Sequence, residues 1–167
     1  MTARRLVLLR HAKADTPPGV ADLDRPLSPR GHADAHAAGA WLGKNAVPQV
    51  VLCSPSKRTR QTWHGVAAEL PRDAAPEVRY DRRLYQGYVA DLLAAVREVE
   101  DSVTTLLLIG HNPSLSRLVF TLDPHGDLDS DGLRTCSLTV HTLTGPWSSC
   151  DEGGAPVTAA HTARGHS

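Results

Sequence analysis

Residues 4–11 read Arg4-Arg5-Leu6-Val7-Leu8-Leu9-Arg10-His11. The apolar run is continuous rather than alternating, so residues 4–9 read as a strand covered on both faces. It ends in a guanidinium and an imidazole. Two further stretches repeat the layout. Val47 to Cys53 runs into Ser54-Pro55-Ser56-Lys57-Arg58, and Thr104 to Ile109 runs into Gly110-His111-Asn112-Pro113. Three buried strands thus end in polar, cation-bearing segments.

Helices fill the spaces between them. Ser28-Pro29 puts a hydroxyl at a cap and proline at the first helical position, which predicts a helix through Trp41 and Leu42 to about Gly43. Ser54-Pro55 opens a second, from Ser56 to about Leu70, stopped by Pro71. Leu92, Leu93, Val96 and Val99 are spaced for a helix over 91–100. Asn112-Pro113 starts another through about Leu122. Residues 12–27 read as a loop, 76–80 as a short extended piece, and the Asp- and Gly-rich 123–133 as a mobile loop. Thr135 to Leu143 alternates as a half-buried strand, with Val157 to Thr162 as its partner and 145–156 as the connecting turns. Residues 163–167 read as a frayed tail. Strands alternating with helices predict an α/β fold of three layers, a mostly parallel central sheet with helices on both faces. Ligands of such sheets sit beyond the carboxyl ends of the strands.

The 167 residues suit a single domain spanning 1–167. Lys+Arg and Asp+Glu are both 18, so no basic excess points to nucleic acid or a membrane surface. No apolar run reaches the length of a membrane span or a signal h-region, and the expected location is cytoplasmic. Cys53, Cys136 and Cys150 form no C-x-x-C pair, which fits reduced structural thiols. No Gly-rich phosphate loop is present, so no nucleotide cofactor is expected. His32 and His36 share a helix face but lack a third ligand of suitable spacing, so no metal is expected.

The strand-end rule brings Arg10, His11, Arg58 and His111 to one edge of the sheet. Arginine forks match the oxygens of a tetrahedral dianion. A neutral imidazole nitrogen can attack phosphorus and form a phosphohistidine that water then hydrolyses. The other ring nitrogen needs an acceptor, expected from the loop at 16–19 or from a nearby carbonyl. Ser54 is expected to cap its helix, Asn112 to cap or to touch ligand, and Tyr85 and Tyr88 to pack or to line the pocket mouth.

Leu9-Arg10-His11-Ala12, Ser54-Pro55-x-x-Arg58-x-x-Gln61-Thr62 and Gly110-His111-Asn112-Pro113 together resemble the three signature segments of the histidine phosphatase superfamily, in its phosphoglycerate-mutase-like branch. The small size and Arg25-Pro26-Leu27-Ser28-x-x-Gly31 are most similar to its SixA type, the phosphohistidine phosphatases of signalling proteins. The resemblance covers about residues 5–143. It implies a phosphoglycerate-mutase-like fold, His11 as nucleophile, Arg10 and Arg58 as phosphate clamps, and His111 completing the pocket. It implies a phosphorylated protein or a small phosphorylated molecule as the partner.

Many relatives carry a glutamate general acid where this chain has Gln86, in Arg83-Leu84-Tyr85-Gln86-Gly87. The SixA type also lacks that acid. An alkoxide leaving group needs protonation as it departs, an assistance of about 10²–10⁴-fold. A phosphorylated imidazole whose ring is already protonated departs neutral. The expectation is therefore a preference for P–N over simple P–O substrates, with Asp15, Asp22 and Asp24 as candidates for a substitute acid. A broad phosphomonoesterase and a non-catalytic phosphate-binding module are the competing expectations.

Overall fold

In the computed structural model, which describes residues 3–166, six strands form one sheet. In chain order the elements are β1 (Arg4–Arg10), α1 (Pro29–Asn45), β2 (Val50–Cys53), α2 (Lys57–Ala68), β3 (Glu77–Tyr80), α3 (Arg83–Gln86), α4 (Val89–Arg97), β4 (Thr105–Gly110), α5 (Ser114–Leu122), β5 (Ser137–Leu143) and β6 (Val157–Thr162), with short 3₁₀ turns at Asp22–Asp24 and Trp147–Ser149. The sheet order is β3-β2-β4-β1-β5-β6. β1 to β4 are mutually parallel, while β5 runs antiparallel to β1 and β6 antiparallel to β5.

The period of two explains the layers. Leu6, Leu8, Val50, Leu52, Leu106 and Leu108 face one side, where they pack with Leu92 and Val96 of α4, Leu115 and Leu118 of α5, and Trp147. Val7, Leu9, Val51, Cys53, Leu107 and Ile109 face the other, against Ala35, Ala38 and Leu42 of α1 and Trp63 and Val66 of α2. β1 and β4 lie at the centre, and Leu6 to Leu9 and Leu106 to Ile109 are completely buried. The three-layer α/β architecture with a mostly parallel sheet is thus the expected one. α1 and α2 approach closely: a Cβ at Gly39 would lie 2.4 Å from the Val66 carbonyl oxygen, so only glycine fits.

Some boundaries differ from the sequence reading. β2 starts at Val50 rather than Val47, because Pro48 has no N–H to give the ladder. α1 runs past Gly43 to Asn45. α4 starts at Val89, since the Asp91 carboxylate accepts the Tyr88 N–H at 2.9 Å and so stands inside the first turn. β5 is buried on both faces over most of its length, not half-buried, because it lies between β1 and β6. The alternation belongs to the edge strand β6.

Two segments read as loose are anchored. Residues 123–133 end in Leu133, which is 3% exposed and hydrogen-bonded through both backbone groups. In the tail, Ala163 is fully buried with its N–H on the Cys136 carbonyl, and the Gly165 N–H reaches the Asp34 carboxylate at 2.9 Å. Residues 163–165 are therefore docked, not frayed; Ser167 lies outside the described residues. Among the described residues, no helix is long and apolar enough to cross a membrane. The three cysteines are free and buried.

Candidate active site

The carboxyl ends of β1, β2 and β4 deliver their polar segments to one place. The rings of His11 and His111 lie 5.2 Å apart between centroids, tilted by 54°. His11 is only 7% exposed. Its Nδ1 lies 2.7 Å from the Ala12 carbonyl oxygen. A carbonyl only accepts, so Nδ1 carries the proton and Nε2 keeps its lone pair. The expected acceptor is thus the adjacent residue's carbonyl, not the loop at 16–19. Burial first, then the charges of Arg58, Arg10 and Arg25, lower the His11 pKa to about 4. His111 is lowered to about 3, by burial first and then by the nearby His11 and Arg58. Both rings are neutral at neutral pH.

His111 is held through Nε2 by the Ser54 hydroxyl at 2.8 Å. Ser54 is therefore not the cap of α2; that position belongs to Ser56, whose Oγ accepts the Thr59 N–H. The Nδ1 atom of His111 is buried without a protein partner, and so are the Nε atoms of Arg10 and Arg58. Three nitrogens of the four expected residues are thus buried with no protein partner.

The spacing Arg58-x-x-Gln61-Thr62 has a geometric reason. Positions i, i+3 and i+4 share one helix face. The Thr62 hydroxyl accepts the Ala12 N–H at 3.0 Å, fixing the residue whose carbonyl holds His11. Gln61 accepts the Leu27 N–H at 2.8 Å, tying down the β1–α1 loop. Arg58 itself is 6% exposed and donates Nη1 to the Asp22 carbonyl oxygen at 2.7 Å and Nη2 to its carboxylate at 3.1 Å. The same carboxylate accepts the Tyr85 hydroxyl at 2.7 Å and Arg25 at 3.2 Å. Tyr85 then sets its ring edge against His111, with centroids 5.5 Å apart.

Arg10 is held differently, by Nη1 on the Leu133 carbonyl oxygen at 3.0 Å. Asn112 donates to the same oxygen at 2.8 Å, and its Oδ1 accepts from the Ser116 N–H and hydroxyl. The Asn112 amide thus braces the frame of the pocket, while the residue also lines the cavity beside His111. Gly132 makes this packing possible: its φ is +78°, and a Cβ there would lie 2.5 Å from Ser116 Oγ.

A cavity of about 190 Å³ opens beside His111, lined by Tyr85, Gln86, Tyr88 and Arg117 among others. Of the four expected residues only His111 lines it; Gln86 stands at its wall, and no carboxylate does. A larger cavity of about 830 Å³ lies elsewhere, between residues 123–134 and β6; it touches none of His11, Arg58 and His111. Asp15 and Asp24 are exposed, and Asp22 is held ionised, its pKa lowered to about 2 chiefly by the Tyr85 hydrogen bond. Among the described residues, no group of three or more His, Cys, Asp or Glu side chains is placed to hold a metal ion. His36 instead meets Glu69 on the surface.

The sequence profile of the histidine phosphatase superfamily (branch 1) matches residues 6–86. A structure described as the putative phosphohistidine phosphatase SixA from Nakamurella multipartitia is 32% identical, with a TM-score of 0.84 and 98% of each chain covered. The chain belongs to the histidine phosphatase superfamily. Within it, the layout is of the SixA type. A second SixA structure, a protein histidine phosphatase complexed with tungstate, aligns with a TM-score of 0.75 at 25% identity, covering 95% of this chain and 96% of that one. An uncharacterized protein of Mycobacterium tuberculosis is 36% identical over 93% of this chain and its own full length. Histidine phosphatase membership accounts for the phosphatase class.

Sequence reasoning missed Ser54, Asp22, Tyr85 and Leu133 as holders of the site. Asp22 and Ser54 lie within or beside quoted motifs, and their polarity was the available signal. Leu133 acts through its carbonyl, which carries no residue-type signal at all.

Proposed function

We propose that this chain is a phosphatase that takes a phosphoryl group onto His11 and then gives it to water, with protein-borne phosphohistidine as its substrate. The observation that carries the reading is the orientation of His11. Its Nδ1–H is fixed on the Ala12 carbonyl and its Nε2 is unprotonated beside His111. The Nε2 lone pair attacks phosphorus, and the new P–N bond forms as the substrate's P–N bond breaks. The departing imidazole keeps the electron pair and leaves neutral, since its other nitrogen is protonated. Water then attacks the phosphohistidine, releasing inorganic phosphate and restoring His11. Arg10, Arg58 and His111, whose Nε, Nε and Nδ1 atoms have no protein partner, stabilise the charge on the phosphoryl oxygens.

The substrate class is supported by Gln86. No carboxylate lines the cavity beside His111, and Asp22 is an ionised ion-pair partner rather than a proton donor. An enzyme so built handles a leaving group that needs no proton in flight. Of the similar structures, one bears the name putative phosphohistidine phosphatase and another protein histidine phosphatase.

The test compares His11→Ala with the wild type on a phosphohistidine peptide, p-nitrophenyl phosphate and an alkyl phosphate. Labelled phosphate should be trapped on wild-type His11, and the variant should lose at least about 10⁴-fold in kcat. The phosphohistidine peptide should exceed the alkyl phosphate in kcat/KM by about 10²-fold or more. Equal rates on the two would assign a general phosphomonoesterase, and binding without turnover would assign a phosphate-binding module.

A further inference from the structure

Asp22 poses a physical problem for an anion site. Its carboxylate stands against Arg58, where it offsets charge that a phosphoryl group would use. The geometry points to a compensating role: we propose that Asp22 is a positioning residue, which aims the Arg58 guanidinium at the phosphoryl group and joins the β1–α1 loop to the α3 turn through Tyr85. The proposal rests on the reading of Arg58 as a phosphate clamp.

Three observations support it. Arg58 is almost fully buried, and both of its terminal nitrogens are taken by Asp22, one on the backbone oxygen and one on the carboxylate. That two-point grip fixes the plane of the guanidinium, while a second N–H on each terminal nitrogen and the buried Nε keep no protein partner. A free arginine loses much rotamer entropy when it grips an anion; one already held loses little. Second, Asp22 Oδ2 also accepts the Tyr85 hydroxyl, and the Tyr85 ring edge lies against His111. One carboxylate therefore orients a group on each side of the pocket. Third, Arg25 closes the arrangement by pairing with Oδ1 and with the Asp15 carbonyl oxygen, so the loop carrying Asp22 is itself fixed. The Asp22 side chain is 54% exposed, an arrangement that core packing does not require.

The experiment measures vanadate inhibition and kcat/KM on a phosphohistidine peptide for wild type, Asp22→Ala, Asp22→Asn and Tyr85→Phe, with thermal unfolding as the fold check. Asp22→Ala should weaken vanadate about tenfold and lower kcat/KM by about 10–100-fold. Asp22→Asn should recover much of both, because an amide oxygen still accepts from Arg58 and Tyr85. Tyr85→Phe should lose about threefold. The pH dependence of kcat/KM should keep its shape in all three, since positioning moves no proton. Unchanged or tighter vanadate binding in Asp22→Ala would overturn the proposal, as would loss of one limb of the pH profile, which would make Asp22 a proton donor. If Asp22→Ala does not fold, Asp22→Asn and Tyr85→Phe decide: both indistinguishable from wild type overturns it. Failure of the wild type to bind vanadate would defeat the clamp reading itself.

Discussion

The two arginines of the pocket are mounted in opposite ways. Arg58 leans on a charged group, the Asp22 carboxylate, carried by an exposed loop. Arg10 leans on a neutral one, the Leu133 carbonyl, held from behind by the Asn112–Ser116 pair. A charged mount grips strongly but draws on the positive charge that a phosphoryl group would need under the proposed function. A neutral mount leaves that charge whole, and burial then pulls the Arg10 pKa below its usual value. The pairing suggests a division: Arg58 supplies direction and Arg10 supplies charge. Direction comes from a loop that meets solvent, charge from a carbonyl packed against the end of β1.

The strongest way to break this comparison is to remove each guanidinium. Arg10→Ala and Arg58→Ala should each lower kcat/KM by about 10²–10³-fold, the scale for one preorganised donor at a developing charge. The division predicts more. Added guanidinium ion should restore some activity to Arg10→Ala, where charge is what was lost, and less to Arg58→Ala, where aim was lost. Equal rescue of the two would erase the distinction.

A milder change reaches the neutral mount without touching Arg10. Gly132→Ala places a Cβ into Ser116 Oγ at a backbone φ of +78°. The clash displaces the hydroxyl that holds Asn112 and accepts the Leu133 N–H. We expect a stability loss of about 1–3 kcal/mol and a roughly tenfold fall in kcat/KM, measured well below the unfolding temperature. An activity equal to wild type, with the stability loss present, would show that Arg10 needs no mount.

The same contrast explains what was readable in the sequence. His11, Arg10, Arg58 and His111 were legible because each follows a strongly apolar strand, and the carboxyl-end rule turns chain order into spatial proximity. Gln61 and Thr62 were legible as a motif, but their work was not: they hold the backbone of Leu27 and Ala12. The mounts were not legible. One is a loop aspartate among three that the sequence leaves equivalent, and the other is a carbonyl, which every residue has. The segment ending in Leu133 read as mobile because Asp and Gly dominate it. Its last residues are instead fixed by a buried leucine and by hydrogen bonds formed only after α5 is in place.

Acid separates the mounts from the rings between them. The His11 and His111 pKa values, about 4 and about 3, lie below the ordinary 6.5. The unfolded chain therefore binds more protons than the folded one as pH falls below 6.5, and ∂ΔG/∂pH is positive there. Stability is complete above about pH 6.5 and declines toward pH 3, by a few kcal/mol for a ring as buried as His11. Buried His141, also lowered by desolvation, adds to the decline in the same direction. Asp22 behaves otherwise: its pKa of about 2 keeps the Arg58 mount ionised through the whole window. Denaturant midpoints followed from pH 7.5 to 4 should thus slope downward in the wild type. They should slope less in His11→Ala, and unchanged in Asp22→Asn. A slope that vanishes in Asp22→Asn instead would move the acid sensitivity from the imidazole pair to the charged mount, and with it the origin of the pocket's electrostatics.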